Sequence, residues 1–118
     1  MYGAEHPAAV LLEILVHFEM DIHDLPARYR LINIEAPDDI DIEVVRSEDL
    51  PQNWVESPET TRAIGDEWLR KESAAILRVP SAIVPDTYNV LLNPAHPHAS
   101  RVAIVHVQDQ TIDHRLLK

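Results

Sequence analysis

The order of helical and strand-like segments constrains the fold of this chain most strongly. A run of helix formers comes first, over Ala8 to Met20, with Pro7 where a first helical turn tolerates it. Two alternating, β-branched segments follow. Ser57 and Pro58 then have the N-cap and first-turn chemistry that starts a second helix, from Glu59 to about Lys71, and three further strands come after it. Because helices and strands are segregated in this way, we expect an α+β fold with a mixed, largely antiparallel sheet and flanking helices.

The predicted strands are short and are bounded by proline or acidic turns. They are expected at Tyr29–Glu35, within residues 40–45, and at Ala74–Val79, Tyr88–Leu92 and Arg101–Val107. No strand is expected before the first helix, because Met1 and Tyr2 lead almost directly into it. At 118 residues and 46% apolar content, residues 1–118 are expected to form one domain with its own core.

The amino-acid composition excludes several kinds of functional site. The chain has no cysteine, which excludes disulfides, a thiolate nucleophile and zinc sites with sulfur ligands. Its formal charge of −10 opposes direct binding of nucleic acid. With two glycines, it has neither a dinucleotide-binding glycine motif nor a P-loop. The longest apolar stretch, Ala8 to Val16, falls short of the roughly 20 residues of a membrane span, so we expect a cytoplasmic protein.

Glu13 is the one charged residue in that apolar stretch, and an unpaired buried carboxylate is costly. Together with His17 and Asp21 it forms a polar line at helical spacing. Three interpretations follow from the residues: a solvated stripe on an amphipathic helix, a metal site that needs a further ligand, or a carboxylate that faces a substrate. We do not expect a bound metal.

Two proline-bracketed segments carry further polar candidates. Ser81 lies between Pro80 and Pro85, where its hydroxyl either closes a local turn or serves a ligand. Asn93 begins a proline loop that is typical of an Asx turn. A metal site, and with it a metal-dependent hydrolase, would instead draw on three histidines: His96, His98 and His106.

The chain resembles the RES family of NAD-degrading toxins. The segments that carry the resemblance, in order, are YGAEHPA at residues 2–8, LLEILVH at 11–17, LPQNW at 50–54, IGDEWL at 64–69, LRVPSA at 77–82 and NVLLNPAHP at 89–97. No single segment is decisive. Their ordered combination is specific and covers nearly the whole chain.

The resemblance implies a fold similar to bacterial ADP-ribosyltransferase toxins, with NAD as substrate and no bound cofactor. It also implies cleavage of the bond between nicotinamide and ribose, with inorganic phosphate, water or a protein as acceptor. The expected partner is an antitoxin with a helix-turn-helix domain, and self-association is plausible from the family. By local motif, the family's Tyr falls on Tyr2, its Glu on Glu13 and its Ser on Ser81, with Asn93 as a further candidate.

One family feature has no counterpart in the sequence. The family carries a Gly-Gly-Arg-Trp-type segment upstream of its Tyr, whose Arg is expected to grip the pyrophosphate, and no Arg here has that context. We therefore expect an N-terminally shortened RES-like domain. It would be either an NAD-consuming toxin or an inactive binding module that keeps the antitoxin surface.

Overall fold

The computed structural model of the chain describes residues 2–17, 28–113 and 115. Two α-helices and six β-strands lie in these ranges, joined by short 3₁₀ turns at Ser47–Asp49, Trp54–Glu56 and Pro97–Arg101. In chain order they are β1 (Tyr2–Ala4), α1 (Pro7–His17), β2 (Arg28–Glu35), β3 (Ile42–Val44), α2 (Pro58–Lys71), β4 (Ile76–Pro80), β5 (Tyr88–Leu92) and β6 (Ala103–Thr111).

The strands form two separate sheets. Four strands lie in the order β1-β5-β4-β3, in which β5 pairs antiparallel with both neighbours and β3 pairs parallel with β4. The other two, β2 and β6, form a long antiparallel ribbon with a register shift between Asn33 and Ile34. The predicted α+β class with a mixed, largely antiparallel sheet is therefore confirmed.

The first strand corrects the sequence analysis, which expected none before α1. Tyr2–Ala4 pairs with Leu91–Asn89 of β5 along its whole length. Three residues are too few to show a period of two, and the tertiary ladder with β5 supplies the backbone partners that local sequence does not. The strand matters for function because it brings Tyr2 to the edge of the sheet.

Both helices begin where proline predicted them. Pro7 opens α1, and the imidazole Nδ1 of His6 accepts a hydrogen bond from the backbone N–H of Ala8. Pro58 opens α2 after Ser57, whose side chain makes no capping hydrogen bond. The predicted end of the first helix, at Met20, lies outside the described residues.

The later strands are shifted from their predicted bounds. β4 begins at Ile76 and not at Ala74, although the carbonyl of Ala75 still accepts a hydrogen bond from the Asn93 N–H. β6 begins at Ala103, because the 3₁₀ turn Pro97–Arg101 takes up the start of the predicted strand. β5 has the predicted bounds.

The core lies around β4. Leu77 is almost wholly buried, and the indole N–H of Trp68 on α2 donates to the carbonyl of Ala74 at 2.9 Å. A second group of buried residues joins Ile40, Ala75 and Ile76, against which Ala36 and Val102 pack at the base of the ribbon. No helix in the described ranges is both long and apolar enough to cross a membrane.

Candidate functional site

Glu13 is buried on the face of α1 that meets the four-stranded sheet. It lies one turn after Ala9, and the two side chains are only 5% and 3% exposed. The solvated-stripe interpretation is therefore wrong for Glu13. Asp21 and the side chain of His17 lie outside what the structure describes.

Two buried side chains donate hydrogen bonds to the same oxygen of Glu13. The hydroxyl of Ser81, just after β4, and the amide Nδ2 of Asn89, in β5, each lie 3.0 Å from Glu13 Oε1. Bonds to an ionised carboxylate are stronger than bonds between neutral groups, so the buried charge is compensated where it lies.

Ser81 also closes its own loop. Its Oγ accepts hydrogen bonds from the backbone N–H groups of Ile83 and Val84, each at 3.1 Å. Its single hydroxyl proton then points to Glu13, since the two amides occupy the acceptor side of the oxygen. The predicted turn role is therefore confirmed, and the turn also directs a donor at the carboxylate. A ligand-binding role for this hydroxyl stays a prediction.

Tyr2 contacts the same carboxylate from the edge of the sheet. Its pKa is raised to about 12, first by partial burial, then by the negative charge of Glu13, and then by a side-chain hydrogen bond to Glu13. The residue as a whole is 54% exposed. The phenol therefore stays protonated at neutral pH and joins the buried carboxylate to the solvent-facing side of the site.

The register of the sheet explains why these groups meet. Tyr2 and Ala4 lie opposite Leu91 and Asn89, so the alternate residues of β1 and β5 share one face. Ser81 comes directly after Pro80, and its backbone N–H continues the hairpin by donating to the carbonyl of Thr87 at 2.8 Å. The structure thus brings together Tyr2, Glu13 and Ser81, as the resemblance implied.

Asn93 lies apart from this cluster. It is 4% exposed, and its Oδ1 accepts the N–H of Ala95 at 3.0 Å, which is the predicted Asx turn. It follows the end of β5, four residues beyond Asn89, and four residues of extended chain at about 3.3 Å each span roughly 13 Å. A substrate-binding role for Asn93 stays a prediction.

Asn89 is the site residue that the sequence analysis missed. Asparagine is depleted in strands, and Asn89 stands inside the otherwise apolar segment YNVLL. That mismatch was the available signal. It identifies a polar position in a buried strand but not its partner, which lies 76 residues away on α1.

The histidines of the proline loop form a local structure. His96 Nδ1 accepts the backbone N–H of His98 at 3.0 Å, and the two rings meet edge to face at 5.2 Å. Among the described residues, no three His, Asp or Glu side chains are arranged to hold a metal ion. The geometry gives no support to a metal-dependent hydrolase.

A cavity of about 660 Å³ lies between the four-stranded sheet and the β2–β6 ribbon. Its walls are mostly apolar and include Gly3, Val90 and Ile104, with Tyr2 at its margin. Glu13, Ser81 and Asn89 are not among its lining residues. Tyr2 is therefore the residue that the cavity shares with the buried carboxylate cluster.

Comparison with known proteins places the chain in a family. The RES domain model matches residues 1–115. A protein of Pseudomonas putida named Toxin Res is 43% identical over 116 residues, covering 98% of this chain and 78% of that protein. A Sphingobium protein named Prs ADP-ribosylating toxin is 34% identical over 122 residues, covering 100% of this chain and 74% of its own length.

A third relative, the Toxin Res of Yersinia enterocolitica, is 41% identical over 98 residues, with 81% of this chain and 62% of that protein covered. The match to the family model extends over both sheets and both helices, including the strand and helix that carry Tyr2 and Glu13. The chain belongs to the RES domain family, whose curated relatives are toxins.

Proposed function

We propose that this chain is an NAD-consuming toxin that cleaves the bond between nicotinamide and ribose and is neutralised by an antitoxin with a helix-turn-helix domain. The observation that carries the proposal is the convergence of Tyr2 and Ser81 on the buried carboxylate of Glu13. The name of the Sphingobium relative, an ADP-ribosylating toxin, supports it because ADP-ribosylation breaks the same bond.

The chemistry of the bond explains the need for a fixed carboxylate. Departure of nicotinamide builds positive charge on the ribose, and a preorganised negative group stabilises that charge more in the transition state than in the ground state. Glu13 is suited to this role, because its two donors at 3.0 Å hold it in place before any ligand binds.

Tyr2 and Ser81 have supporting roles in the proposal. The half-exposed ring of Tyr2 offers an aromatic face for the nicotinamide beside a hydroxyl that is held on Glu13. Ser81 keeps the carboxylate in place through its hydroxyl. The cavity that Tyr2 borders falls within the usual size of small-molecule sites, which supports binding of the rest of the dinucleotide there.

The test is release of nicotinamide from NAD by the purified chain, with and without inorganic phosphate, followed by chromatography. We expect release with the wild-type chain and a loss of about 100-fold or more in Glu13→Gln, which keeps the shape of the side chain but removes its charge. Glu48→Gln, on the exposed 3₁₀ turn, is the matched control and should retain activity. Equal release by the wild type and Glu13→Gln would exclude the proposal.

The products identify the acceptor. A phosphorylated ADP-ribose that forms only when phosphate is present indicates phosphorolysis, free ADP-ribose indicates hydrolysis, and label retained on protein from adenylate-labelled NAD indicates transfer. Co-expression with the antitoxin should restore growth to cells in which the chain is toxic. Continued arrest in the presence of a folded antitoxin would contradict neutralisation.

One observation favours a second candidate, a RES-like binding module without turnover. Glu13 is only 5% exposed and does not line the cavity that Tyr2 borders. This candidate predicts that the chain binds NAD or an antitoxin in calorimetry while releasing no nicotinamide. The release assay above separates the two.

A further inference from the structure

Asn89 occupies a strand position that is paired on both sides. It lies in β5 between two paired neighbours, opposite Ala4 of β1 on one side and Val79 of β4 on the other. Backbone hydrogen bonding on both sides fixes the direction of its side chain. The residue is 5% exposed, and its Nδ2 donates to Glu13 Oε1 at 3.0 Å.

The amide of Asn89 is poorly suited to a purely structural role. Its Oδ1 is buried and has no hydrogen-bond partner among the described residues. A buried acceptor left unpaired is destabilising, and an apolar side chain in this strand would avoid that penalty. The interaction that the residue does make is the one to Glu13.

Two donors from different strands meet at a single oxygen. Ser81 approaches Oε1 from the end of β4, and Asn89 approaches it from within β5, both at 3.0 Å. Tyr2 is a further contact of this carboxylate, but it lies at the edge of the sheet and is half exposed. Two donors at fixed positions restrict both the place of Oε1 and the plane of the carboxylate.

We propose that Asn89 is a positioning residue that acts through Glu13, holding its carboxylate in the orientation that the reaction uses. Its effect on turnover rests on the proposed function, whereas its contact with Glu13 does not. Two experiments therefore address the two parts separately.

The first experiment is independent of activity. In ¹⁵N-labelled protein, the side-chain amide signals of Asn89 are assigned by their loss in Asn89→Asp. They are then followed in Glu13→Gln, where we expect them to move further than the other side-chain amide signals. Asn93 is the matched internal control, because it is equally buried but bonded within its own turn. Unmoved Asn89 signals in folded Glu13→Gln would overturn the proposal.

The second experiment is a double-mutant cycle on nicotinamide release. Asn89→Ala should lower kcat about 10- to 100-fold, the range for a hydrogen bond to a charged group, with KM changed less than kcat. In the Glu13→Gln background the same change should cost nothing further, because the residue acts through the carboxylate. Full additivity of the two losses would instead assign Asn89 an independent role and reject the inference.

Controls keep a folding defect apart from a positioning defect. Asn89→Asp preserves the volume of the side chain and replaces the donor with an oxygen, so it should lose activity as Asn89→Ala does while remaining folded by circular dichroism. Asn53→Ala, at an exposed asparagine before a 3₁₀ turn, should keep wild-type kcat. An active Asn89→Asp would overturn the proposal. If the wild type releases no nicotinamide, the proposed function fails and the spectroscopic test still decides the contact.

Discussion

The β2–β6 ribbon has the longest run of paired residues but little side-chain burial, whereas the four-stranded sheet has shorter strands and more buried side chains. The ribbon has the longer ladder, with eight residue pairs from Arg28↔Thr111 to Glu35↔Ala103. Yet it exposes large apolar side chains, among them Ile32 and Ile104, which is 60% exposed. The shorter strands β4 and β5 contain buried side chains, namely Ile76, Leu77 and Asn89, whereas β2 and β6 contain none.

The difference shows that the number of paired residues does not determine which sheet contributes more stability or which one holds the candidate site. A two-stranded ribbon alone is marginally stable in water, and this one joins the core mainly at its base, through Ala36 and Val102. The four-stranded sheet packs against α1, and its buried face holds the Glu13 carboxylate in a fixed place. We therefore expect substitutions to lower the free energy of unfolding more in the four-stranded sheet than in the ribbon.

The largest effect is expected from Leu77→Ala in the sheet. Removing this fully buried side chain should lower the free energy of unfolding by about 3 kcal/mol, because the packed surroundings cannot fill the space. The matched change in the ribbon, Ile104→Ala, should cost less than about 1 kcal/mol. Urea unfolding of both variants measures the difference, and equal losses would show that the ribbon is as integral to the core as the sheet.

The next effect is expected from Ser81→Ala. The change leaves the amides of Ile83 and Val84, and one side of Glu13, without their partner, which should cost about 2 kcal/mol in unfolding free energy. Ser100→Ala removes an exposed hydroxyl that bonds only to the carbonyl of Pro97, and it should change stability by less than about 0.5 kcal/mol. If both variants unfold alike, the serine does not anchor the loop.

Tyr2, at the edge of the sheet, provides a pH-dependent test of its contact with Glu13, with a smaller expected effect. Its pKa of about 12 lies above the ordinary value of 10.0, so the folded state holds the phenolic proton more tightly than the unfolded state. The stability that follows is fully present below pH 10 and is lost as pH rises towards 12. Absorbance titration of tyrosinate should show a late phase that Tyr2→Phe removes.

Glu13→Gln should move that late phase only part of the way back, since burial is the largest cause of the raised pKa and the charge of Glu13 comes second. A late phase that is unaffected by Glu13→Gln would mean that the two side chains are not in contact. One that returns fully to the ordinary value would mean that burial contributes nothing.

The smallest effect is expected from Arg30→Ala in the ribbon. Arg30 Nε lies 3.2 Å from Asp109 Oδ1, but both side chains are mostly exposed. Such pairs contribute about 0.5 kcal/mol, and salt screens them. Unfolding at low and at high ionic strength should show a small difference that disappears with salt; a loss comparable to that of Leu77→Ala would contradict the comparison.

Sequence patterns predicted the elements well where local chemistry decides them. Prolines marked the starts of α1 and α2, and alternation marked β2 and β3. The pairing of β1 with β5 and the separation of β2 and β6 into their own ribbon depend on contacts between distant segments, which no local pattern encodes. The predicted strand order also gave no indication that β3 would pair parallel with β4.

The sequence predicted the candidate site only in part, because the site also depends on contacts between distant segments. Glu13 stood out as a charge in an apolar helix and Ser81 as a hydroxyl between two prolines, whereas Tyr2 followed from the family resemblance. Asn89 needed the sheet register, because only the pairing of β5 with β1 and β4 shows which face its side chain takes. Asn93 looked similar in sequence but closes a turn at the far end of the strand.

The hairpin that holds Ser81 and Asn89 has a consequence for how the site is assembled. These two donors are eight positions apart on adjoining strands, whereas Glu13 is 68 and 76 residues distant from them. Ser81 and Asn89 can come together through short-range pairing of β4 with β5. The Glu13 carboxylate reaches them only when the N-terminal helix docks. Under the proposed function, a nascent or partly unfolded copy is therefore expected to be inactive, because the carboxylate has not yet docked against its donors.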